Sequence, residues 1–273
     1  MSGFESKLTF INSMNKFCLF KLLYYTFLSK PSNNNSSNYI KQEDMKISVL
    51  GTGDVGQTLA KKFIELGHEV MIGTRNVEET LARKTSPHGN PPFSEWYESN
   101  KEVELGSFQE SANFGEIVIN ATNGANSLNA LDLAGEETLE GKILIDLSNP
   151  LDFSKGMPPS LVEGLNNTNS LGEEIQKEFP QTRVVKTFNT MWCELMVNPG
   201  ILDGGNHINY ISGNDDNAKA RVKDLLKELG WKDENLIDLG DISSARAAES
   251  ILLLWVKLFG ILKTGAFNFR IVR

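Results

Sequence analysis

One stretch constrains the fold of this chain more than any other: a short apolar strand pattern followed at once by three regularly spaced glycines. Lys46–Leu50 is a β-branched, apolar run typical of a buried parallel strand. Gly51, Gly53 and Gly56 follow it with the spacing G-x-G-x-x-G. In a dinucleotide-binding turn, the first glycine permits the tight turn, the second lets the pyrophosphate approach the backbone, and the third lets helix and strand pack closely. The pattern therefore predicts a dinucleotide-binding βαβ unit.

The residues after this turn complete the predicted unit. Leu59, Phe63 and Leu66 recur at helical spacing until Gly67, a residue type that commonly ends a helix. Glu69–Gly73 predicts the second strand. The start of the helix would offer N–H groups and a positive dipole to the phosphates. This order of elements favours a Rossmann domain; the alternative is a glycine turn in an α/β fold that binds no nucleotide.

The end of the predicted second strand indicates which dinucleotide binds. NAD sites have an acid there, which holds the ribose 2′-hydroxyl, whereas this chain has Thr74 and Arg75, 18 and 19 residues after Gly56. A hydroxyl and a guanidinium suit a 2′-phosphate, which a carboxylate would repel. We therefore expect NADP rather than NAD, although Glu78 and Glu79 follow closely and oppose this preference.

Three further apolar runs predict additional buried strands: Glu116–Ala121, Lys142–Leu147 and Arg183–Phe188. Polar residues follow each of them. Because the carboxyl ends of parallel strands line the crevice where ligands bind, these residues are candidate ligand contacts, with turn and cap formation as the alternative. They are Thr122, Asn123, Asn149 and Asn189.

The remaining segments predict one long connection and a second, smaller unit. Residues 85–104 are irregular and proline-rich, which indicates either a functional lid or a surface insertion. Beyond about residue 190, the pattern predicts two strands and two helices: Ile208–Ser212, Ala218–Leu229, a long helix from Ser243 or Ser244 to about Leu262, and Phe267–Val272. We therefore predict an α/β protein with a Rossmann parallel sheet over residues 45–190 and a smaller C-terminal α/β domain over residues 191–273.

Residues 1–44 differ from the rest of the chain. Five lysines and three acids give them a charge of +2, and a polar, asparagine-rich linker over residues 31–38 follows a short apolar run. Three interpretations remain open: a start codon placed too far upstream, a targeting segment, or a functional tail. We expect this extension to be poorly ordered and the protein to be cytoplasmic, with targeting by residues 1–44 as the alternative.

Composition excludes several function classes. The net charge of −8 disfavours binding to nucleic acid or to an anionic membrane, because both require a basic surface. Two cysteines and three histidines without paired spacing give no metal site. Cys193 is interpreted as a small buried hydrophobe and His207 as a loop residue. We nominate no catalytic acid or base.

Five sequence blocks, in order, resemble the family of NADP oxidoreductases that use the deazaflavin coenzyme F420. They are Gly-Thr-Gly-Asp-Val-Gly (51–56), Gly-Thr-Arg (73–75), Val-Val-Lys-Thr-Phe-Asn-Thr (184–190), Ser-Gly-Asn-Asp-Asp (212–216), and Leu-Gly-Asp-Ile with the following Arg246 and Glu249. The resemblance covers most of residues 45–273. It implies a Rossmann domain and a smaller C-terminal domain, a cleft between them where the nicotinamide and deazaflavin rings meet, and a homodimer.

The resemblance also implies roles for single residues. Thr74 and Arg75 would hold the 2′-phosphate, and Thr122 and Thr187 would lie along the nicotinamide. The pyrophosphate would be lined by Thr52, Gly53, Asp54 and Val55. Where archaeal members of the family carry a basic residue soon after the arginine, this chain has acids.

These observations predict reversible hydride transfer between NADPH and a flat redox acceptor, and F420 is the leading candidate for that acceptor. Such chemistry belongs to the cofactors, and the protein supplies proximity and orientation. The alternatives are a reductase with a flavin, a ferric ion reduced through flavin, or a small carbonyl or imine as acceptor, and a non-enzymatic NADP-binding sensor. A small-molecule acceptor and a second copy of the chain are the expected partners.

Overall fold

The computed structural model describes residues 44–85 and 91–272, and the expectations for residues 1–43 lie outside this range. Within it, eight strands form one sheet in the order β10-β9-β8-β5-β4-β1-β2-β3, and two short strands form a separate antiparallel pair, β6–β7. The strands are β1 (Lys46–Leu50), β2 (Glu69–Thr74), β3 (Glu104–Ser107), β4 (Ile117–Asn120), β5 (Ile143–Asp146), β6 (Leu151–Asp152), β7 (Ser160–Leu161), β8 (Arg183–Thr187), β9 (Asn209–Ser212) and β10 (Leu236–Asp238).

Helices cover both faces of the eight-stranded sheet. They are α1 (Asp54–Leu66), α2 (Val77–Ala82), α3 (Phe93–Glu98), α4 (Phe108–Phe114), α5 (Ser127–Ala134), α6 (Glu136–Leu139), α7 (Leu171–Glu178), α8 (Cys193–Val197), α9 (Asp216–Glu228) and α10 (Ala245–Leu262). Short 3₁₀ turns cover Gly124–Asn126, Pro199–Ile201, Asp203–Gly205, Asp233–Asn235 and Ile242–Ser244.

The predicted Rossmann-type fold is confirmed. Strands β3, β2, β1, β4, β5 and β8 pair in parallel in that order, so their carboxyl ends meet at one edge of the sheet. Strand β9 then pairs antiparallel with β8, and β10 pairs parallel with β9. The predicted boundary near residue 190 stays a prediction, and it does not coincide with a break in the sheet.

Two apolar clusters pack against the opposite faces of the sheet. Successive residues of a strand point to opposite faces, and in β4 Ile119 joins the cluster under α1 and α9 while Val118 joins the one under α4 and α5. In β5, Ile145 and Leu144 divide in the same way. Strands buried on both faces explain why their sequences are continuous apolar runs.

Two expectations for local structure were wrong. Residues 85–104 are not wholly irregular: within their described part, α3 forms and its Trp96 packs against the apolar core. Phe267–Val272 is not a strand, because among the described residues a single backbone bond joins it to another segment, from Ile208 N–H to the Phe269 carbonyl oxygen, and one bond makes no ladder. The Asn268 side chain also donates to the Ile208 carbonyl oxygen, which ties the segment to the residue before β9.

No helix among residues 44–85 and 91–272 combines the length and apolar character that crossing a membrane requires.

Candidate functional site: a nucleotide cleft at the carboxyl edge of the sheet

The glycine turn has the geometry that close approach of a ligand requires. Gly51 has φ +124°, donates to the Gly73 carbonyl oxygen at 3.0 Å, and would place a Cβ 2.7 Å from the Ala121 carbonyl oxygen. A Cβ on Gly56 would lie 2.1 Å from the Gly51 carbonyl oxygen, so α1 packs directly against the backbone of the turn there. A Cβ on Gly53 would meet nothing within 4 Å. The first and third glycines are required by the fold, whereas the second borders open space.

Helix α1 begins directly behind this open space. Gly53 occupies its N-cap position, and no side chain of a described residue caps the helix there. The Gln57 side chain donates to the Thr52 carbonyl oxygen at 2.8 Å, which fixes the shape of the turn. Asp54 is exposed and Val55 is half-buried in the first helical turn. N–H groups and the positive end of the helix dipole suit a pyrophosphate, so this turn fits the phosphates of a dinucleotide.

The end of β2 separates the two residues predicted to hold a 2′-phosphate. The Thr74 side chain is buried, and its hydroxyl shares a hydrogen bond with the Thr80 hydroxyl at 2.8 Å. Arg75 is exposed and, among the residues that the structure describes, has no hydrogen-bond or ion-pair partner. The Asn76 side chain caps α2 through the Glu79 N–H. The Arg75 guanidinium is therefore accessible to an anion, whereas the Thr74 hydroxyl is buried and already hydrogen-bonded to Thr80.

The turn after β4 holds the next two predicted residues. Thr122 is half-buried, and its hydroxyl donates to the Asn120 side-chain oxygen at 2.7 Å. Asn123 is exposed, and its side chain accepts a hydrogen bond from the Ala125 N–H at 3.0 Å. Asn123 thus does what the alternative interpretation expected, which is to cap a turn. Thr122 lies beside the glycine turn, because a Cβ on Gly51 would be 3.3 Å from the Thr122 nitrogen.

The turns after β4, β5 and β8 are joined at this edge. A Cβ on Gly124 would lie 1.9 Å from the Asn149 carbonyl oxygen, so the first two turns are in direct backbone contact. The Asn149 side chain donates to the Asn189 carbonyl oxygen at 2.9 Å, and the Asn189 side chain donates to the Asn149 side-chain oxygen at 2.9 Å. The structure therefore brings Thr122, Asn149 and Asn189 into one continuous border.

The Thr187 hydroxyl makes its hydrogen bonds within the protein. Its side chain is buried, and its hydroxyl donates to the Tyr210 carbonyl oxygen at 2.8 Å. The Thr187 hydroxyl oxygen in turn accepts from the Asn209 side chain at 3.0 Å. These bonds join β8 to β9. A contact between the Thr187 hydroxyl and a nicotinamide would have to compete with them.

Sequence reasoning missed a buried ionic cluster beneath the border. The Lys186 ammonium lies 2.8 Å from Asp146 Oδ2 and 2.8 Å from Glu249 Oε1, and it donates to the Ser148 carbonyl oxygen at 2.5 Å. All three charged side chains are essentially inaccessible to solvent. Burial acts to lower the pKa of Lys186, but the two carboxylates outweigh it and raise that pKa above its ordinary value. Lys186 is therefore held as a cation.

One signal in the sequence could have revealed this cluster. Lys186 interrupts the apolar strand run Val-Val-Lys-Thr-Phe, and a lysine in a strand buried on both faces needs an acidic partner. Asp146, at the end of the neighbouring strand, is one such partner. Glu249 is 63 residues further on in α10, and no local pattern connects it with Lys186.

Cys193 and His207 have structural roles. Cys193 is buried in the core, where its sulfur accepts from the Thr58 hydroxyl at 3.6 Å. The His207 ring is buried in a loop between the Pro199 carbonyl oxygen at 3.0 Å and the Asn268 side chain at 2.8 Å. Within the described part of the chain, no three His, Cys, Asp or Glu side chains converge as a metal site.

Comparisons with known proteins agree with this geometry. Residues 46–150 match the family model "NADP oxidoreductase coenzyme F420-dependent". The crystal structure of a protein from Arthrobacter sp. FB24, assigned as an F420-dependent NADP-reductase, is 54% identical with a TM-score of 0.79, and the match covers 84% of this chain and 100% of that one. The F420-dependent NADP reductase of Methanothermobacter marburgensis is 28% identical over 222 residues, 78% of this chain and 92% of that protein.

A second group of relatives is longer than this chain. Metalloreductase STEAP3 of Rattus norvegicus is 29% identical over 217 residues, which are 78% of this chain and 38% of that protein. Metalloreductase STEAP2 of Homo sapiens is 29% identical over 236 residues and is matched over 40% of its length. The chain thus spans well under half the length of these curated relatives.

Proposed function

Because the chain belongs to the family of F420-dependent NADP oxidoreductases, we propose that it transfers a hydride between NADPH and a flat deazaflavin acceptor of the coenzyme F420 type. The observation that carries the nucleotide part is the open space at Gly53, bordered by the start of α1 and followed at the end of β2 by the exposed Arg75. The acceptor part rests on the 54% identity to the Arthrobacter protein over its whole length.

The chain's own residues bind and orient in this proposal. The backbone of Thr52, Gly53, Asp54 and Val55 holds the pyrophosphate, and the Arg75 guanidinium holds the 2′-phosphate. The border formed by Thr122, Asn149 and Asn189 fixes where the nicotinamide half lies. No side chain is assigned to proton transfer, because positioning two planar cofactors against one another requires none.

A direct experiment tests the proposal. The purified chain is titrated with NADPH and NADH by fluorescence, and oxidised F420 is then added while absorbance reports its reduction. We expect NADPH to bind more tightly than NADH and F420 to be reduced only when NADPH is present. NADPH binding without F420 reduction would contradict the proposed acceptor but leave the proposed nucleotide site standing. No binding of either nucleotide would exclude both.

The similarity to metalloreductases supports a second candidate, an NADPH-dependent reductase whose acceptor is a flavin that passes electrons to ferric iron. The same assay distinguishes the two, with FAD or FMN plus a ferric chelate replacing F420. Reduction of flavin but not F420 would favour the second candidate. Small carbonyls or imines and a non-enzymatic NADP sensor remain as the predicted alternatives, and the sensor predicts binding without turnover on any acceptor.

We also propose that the chain forms a homodimer. Leu254, Ile261 and Leu262 of α10 are exposed by 52%, 63% and 51%, and a second copy covering this helix would bury them. Light scattering after size-exclusion chromatography should give twice the chain mass, and Leu254→Lys should shift it toward the monomer. The cytoplasmic location stays a prediction.

A further inference from the structure

The side-chain amide of Asn120, at the end of β4, has a fixed orientation. Its nitrogen donates to Asp146 Oδ1 at 2.8 Å and to the Ser127 hydroxyl at 2.5 Å. The opposite orientation would place the amide oxygen against the Asp146 carboxylate, where two acceptors would repel each other. Asp146 is itself held by Lys186 and by the Ser148 N–H and hydroxyl. The buried cluster therefore determines which way Asn120 points.

This orientation determines what Thr122 can do. The Asn120 side-chain oxygen accepts from the Thr122 hydroxyl at 2.7 Å and from the Thr122 N–H at 3.3 Å. A hydroxyl has one hydrogen to donate and two lone pairs. Because the hydrogen of the Thr122 hydroxyl is used by Asn120, the hydroxyl oxygen of this half-buried residue can only accept from a ligand. A ligand group placed there must be a hydrogen-bond donor, and a carbonyl or phosphate oxygen is disfavoured.

We propose that Thr122 is an acceptor-only contact for a donor on the nicotinamide riboside half of NADPH, and that Asn120 is the residue that positions it. This inference rests on the proposed NADPH-binding function. The nicotinamide riboside half carries two kinds of donor, the carboxamide NH₂ and the ribose hydroxyls. Either one satisfies the same chemistry, and the two sources are separated by the ligands chosen below.

The first test compares three ligands on three proteins by calorimetric titration. The ligands are NADPH, its 3-acetylpyridine analogue, which has a methyl group in place of the amide NH₂, and adenosine 2′,5′-bisphosphate, which lacks the nicotinamide riboside. The proteins are the wild-type chain, Thr122→Val and Thr122→Ser. We expect Thr122→Val to weaken NADPH about tenfold, the value of one hydrogen bond, and to leave the bisphosphate unchanged. Thr122→Ser should bind NADPH like wild type.

The acetylpyridine analogue identifies the donor. If the carboxamide donates, wild type should bind the analogue about tenfold more weakly than NADPH, and Thr122→Val should bind both equally. If a ribose hydroxyl donates, wild type should bind both equally, and Thr122→Val should weaken both. Thr138→Val is the matched control, because Thr138 lies in α6, before β5 begins, and its hydroxyl donates to the carbonyl oxygen of Ala134 at the end of α5. It should leave all three affinities unchanged.

The second test asks whether Asn120 acts through Thr122. Asn120→Ala leaves Asp146 paired with Lys186 and frees the Thr122 hydroxyl to rotate. We expect it to weaken NADPH severalfold on its own and to add nothing to Thr122→Val, because the two residues act as one unit. Should Asn120→Ala fail to fold, the titrations of Thr122→Val and Thr122→Ser in the first test still decide whether Thr122 accepts a hydrogen bond from the ligand.

Three results would overturn the inference while leaving the proposed function intact. They are unchanged NADPH affinity in Thr122→Val, equal weakening of NADPH and the bisphosphate, and additive losses in the double variant. A wild-type chain that binds neither NADPH nor the bisphosphate would instead overturn the proposed function and this inference with it.

Discussion

The glycine turn after β1 and the turns after β4, β5 and β8 lie along the same edge of the sheet, but different parts of the chain build them. Backbone geometry builds the first: two glycines make contacts that a Cβ would prevent, and Gly53 borders open space. Side chains build the second, where the Asn149–Asn189 pair and the cluster around Lys186 join three strands. The glycine turn, the backbone-built end of this edge, therefore depends on residues close in sequence. The turns after β4, β5 and β8, the side-chain-built end, depend on residues far apart in sequence.

This difference predicts different weaknesses. A backbone-built turn tolerates loss of its side chains and is damaged by added atoms. A side-chain network tolerates small changes of volume and is damaged when one partner of a buried charge is removed. Removing a side chain should therefore destabilise the side-chain-built end, and adding a methyl group should destabilise the backbone-built end.

The largest effect is expected at the network. Lys186→Met would leave Asp146 and Glu249 buried without their cation, and breaking a buried ion pair in this way costs about 3–5 kcal/mol of the free energy of unfolding. Chemical denaturation of the purified variant measures this. The matched control is Lys227→Met, since Lys227 pairs at 3.1 Å with Asp233 and the two side chains are 44% and 73% exposed. Equal costs for the two variants would show that burial of the cluster is energetically irrelevant.

The pH dependence of the same variant sharpens the test. The pKa of Lys186 is raised in the folded chain, so its contribution to stability is complete below the unfolded value of about 10.4 and is lost as pH rises through the folded value. The stability difference between wild type and Lys186→Met should therefore not shrink between about pH 7 and about pH 10 and should fall only above that range. A difference that already shrinks near neutral pH would contradict the assignment of Lys186 as a held cation.

The second effect is expected at the glycine turn. Gly56→Ala would place a methyl group 2.1 Å from the Gly51 carbonyl oxygen, and such overpacking costs about 1–3 kcal/mol. Gly53→Ala meets nothing within 4 Å and should leave the thermal unfolding temperature nearly unchanged while weakening NADPH, because its methyl group occupies the space proposed for the pyrophosphate. Equal destabilisation by the two variants would remove the distinction between a packing glycine and a ligand-facing one.

The same division decides what could be predicted from the sequence. Strand β1, its glycine turn and α1 were predicted because each signal lies within a few residues of the structure it specifies. Strand β3, Glu104–Ser107, has the sequence Glu-Leu-Gly-Ser and shows no apolar run. Strand β10 has only three residues. Both are strands because a neighbour offers hydrogen-bonding partners, and tertiary pairing of this kind leaves little trace in local sequence.

The candidate site shows the same limit at single residues. The motif correctly indicated that Arg75 follows β2, but only the fold reveals that the hydroxyl of its neighbour Thr74 is taken by Thr80. Likewise, Thr187 matched a family motif, while its bonds to Tyr210 and Asn209 depend on β9, more than 20 residues later. A motif indicates which residue type stands at a position. It does not indicate which distant residue forms the hydrogen bonds that the side chain would otherwise make with a ligand.

A third, smaller effect is expected on the preference for NADPH over NADH at the backbone-built end. Arg75→Ala should weaken NADPH about tenfold to a hundredfold, because a charge-assisted contact to phosphate is lost, and should change NADH affinity little. Parallel fluorescence titrations with both nucleotides measure this. Arg270→Ala removes another exposed guanidinium, one that pairs with Asp203 at 3.4 Å, and should change neither affinity. Equal losses of NADPH and NADH in Arg75→Ala would contradict the 2′-phosphate assignment.

The smallest quantity is a coupling between two residues, expected where the turns after β5 and β8 meet. Asn149→Ala removes both hydrogen bonds of the Asn149–Asn189 pair, whereas Asn189→Ala removes only the one that its side chain donates. At about 1 kcal/mol for each bond, Asn149→Ala should cost about twice as much unfolding free energy as Asn189→Ala. The double variant should then cost no more than Asn149→Ala alone, which gives a coupling of about 1 kcal/mol in a double-mutant cycle. Additive costs would mean that the two turns are held independently, and the contrast between a locally built and a network-built end would then rest on the Lys186 cluster alone.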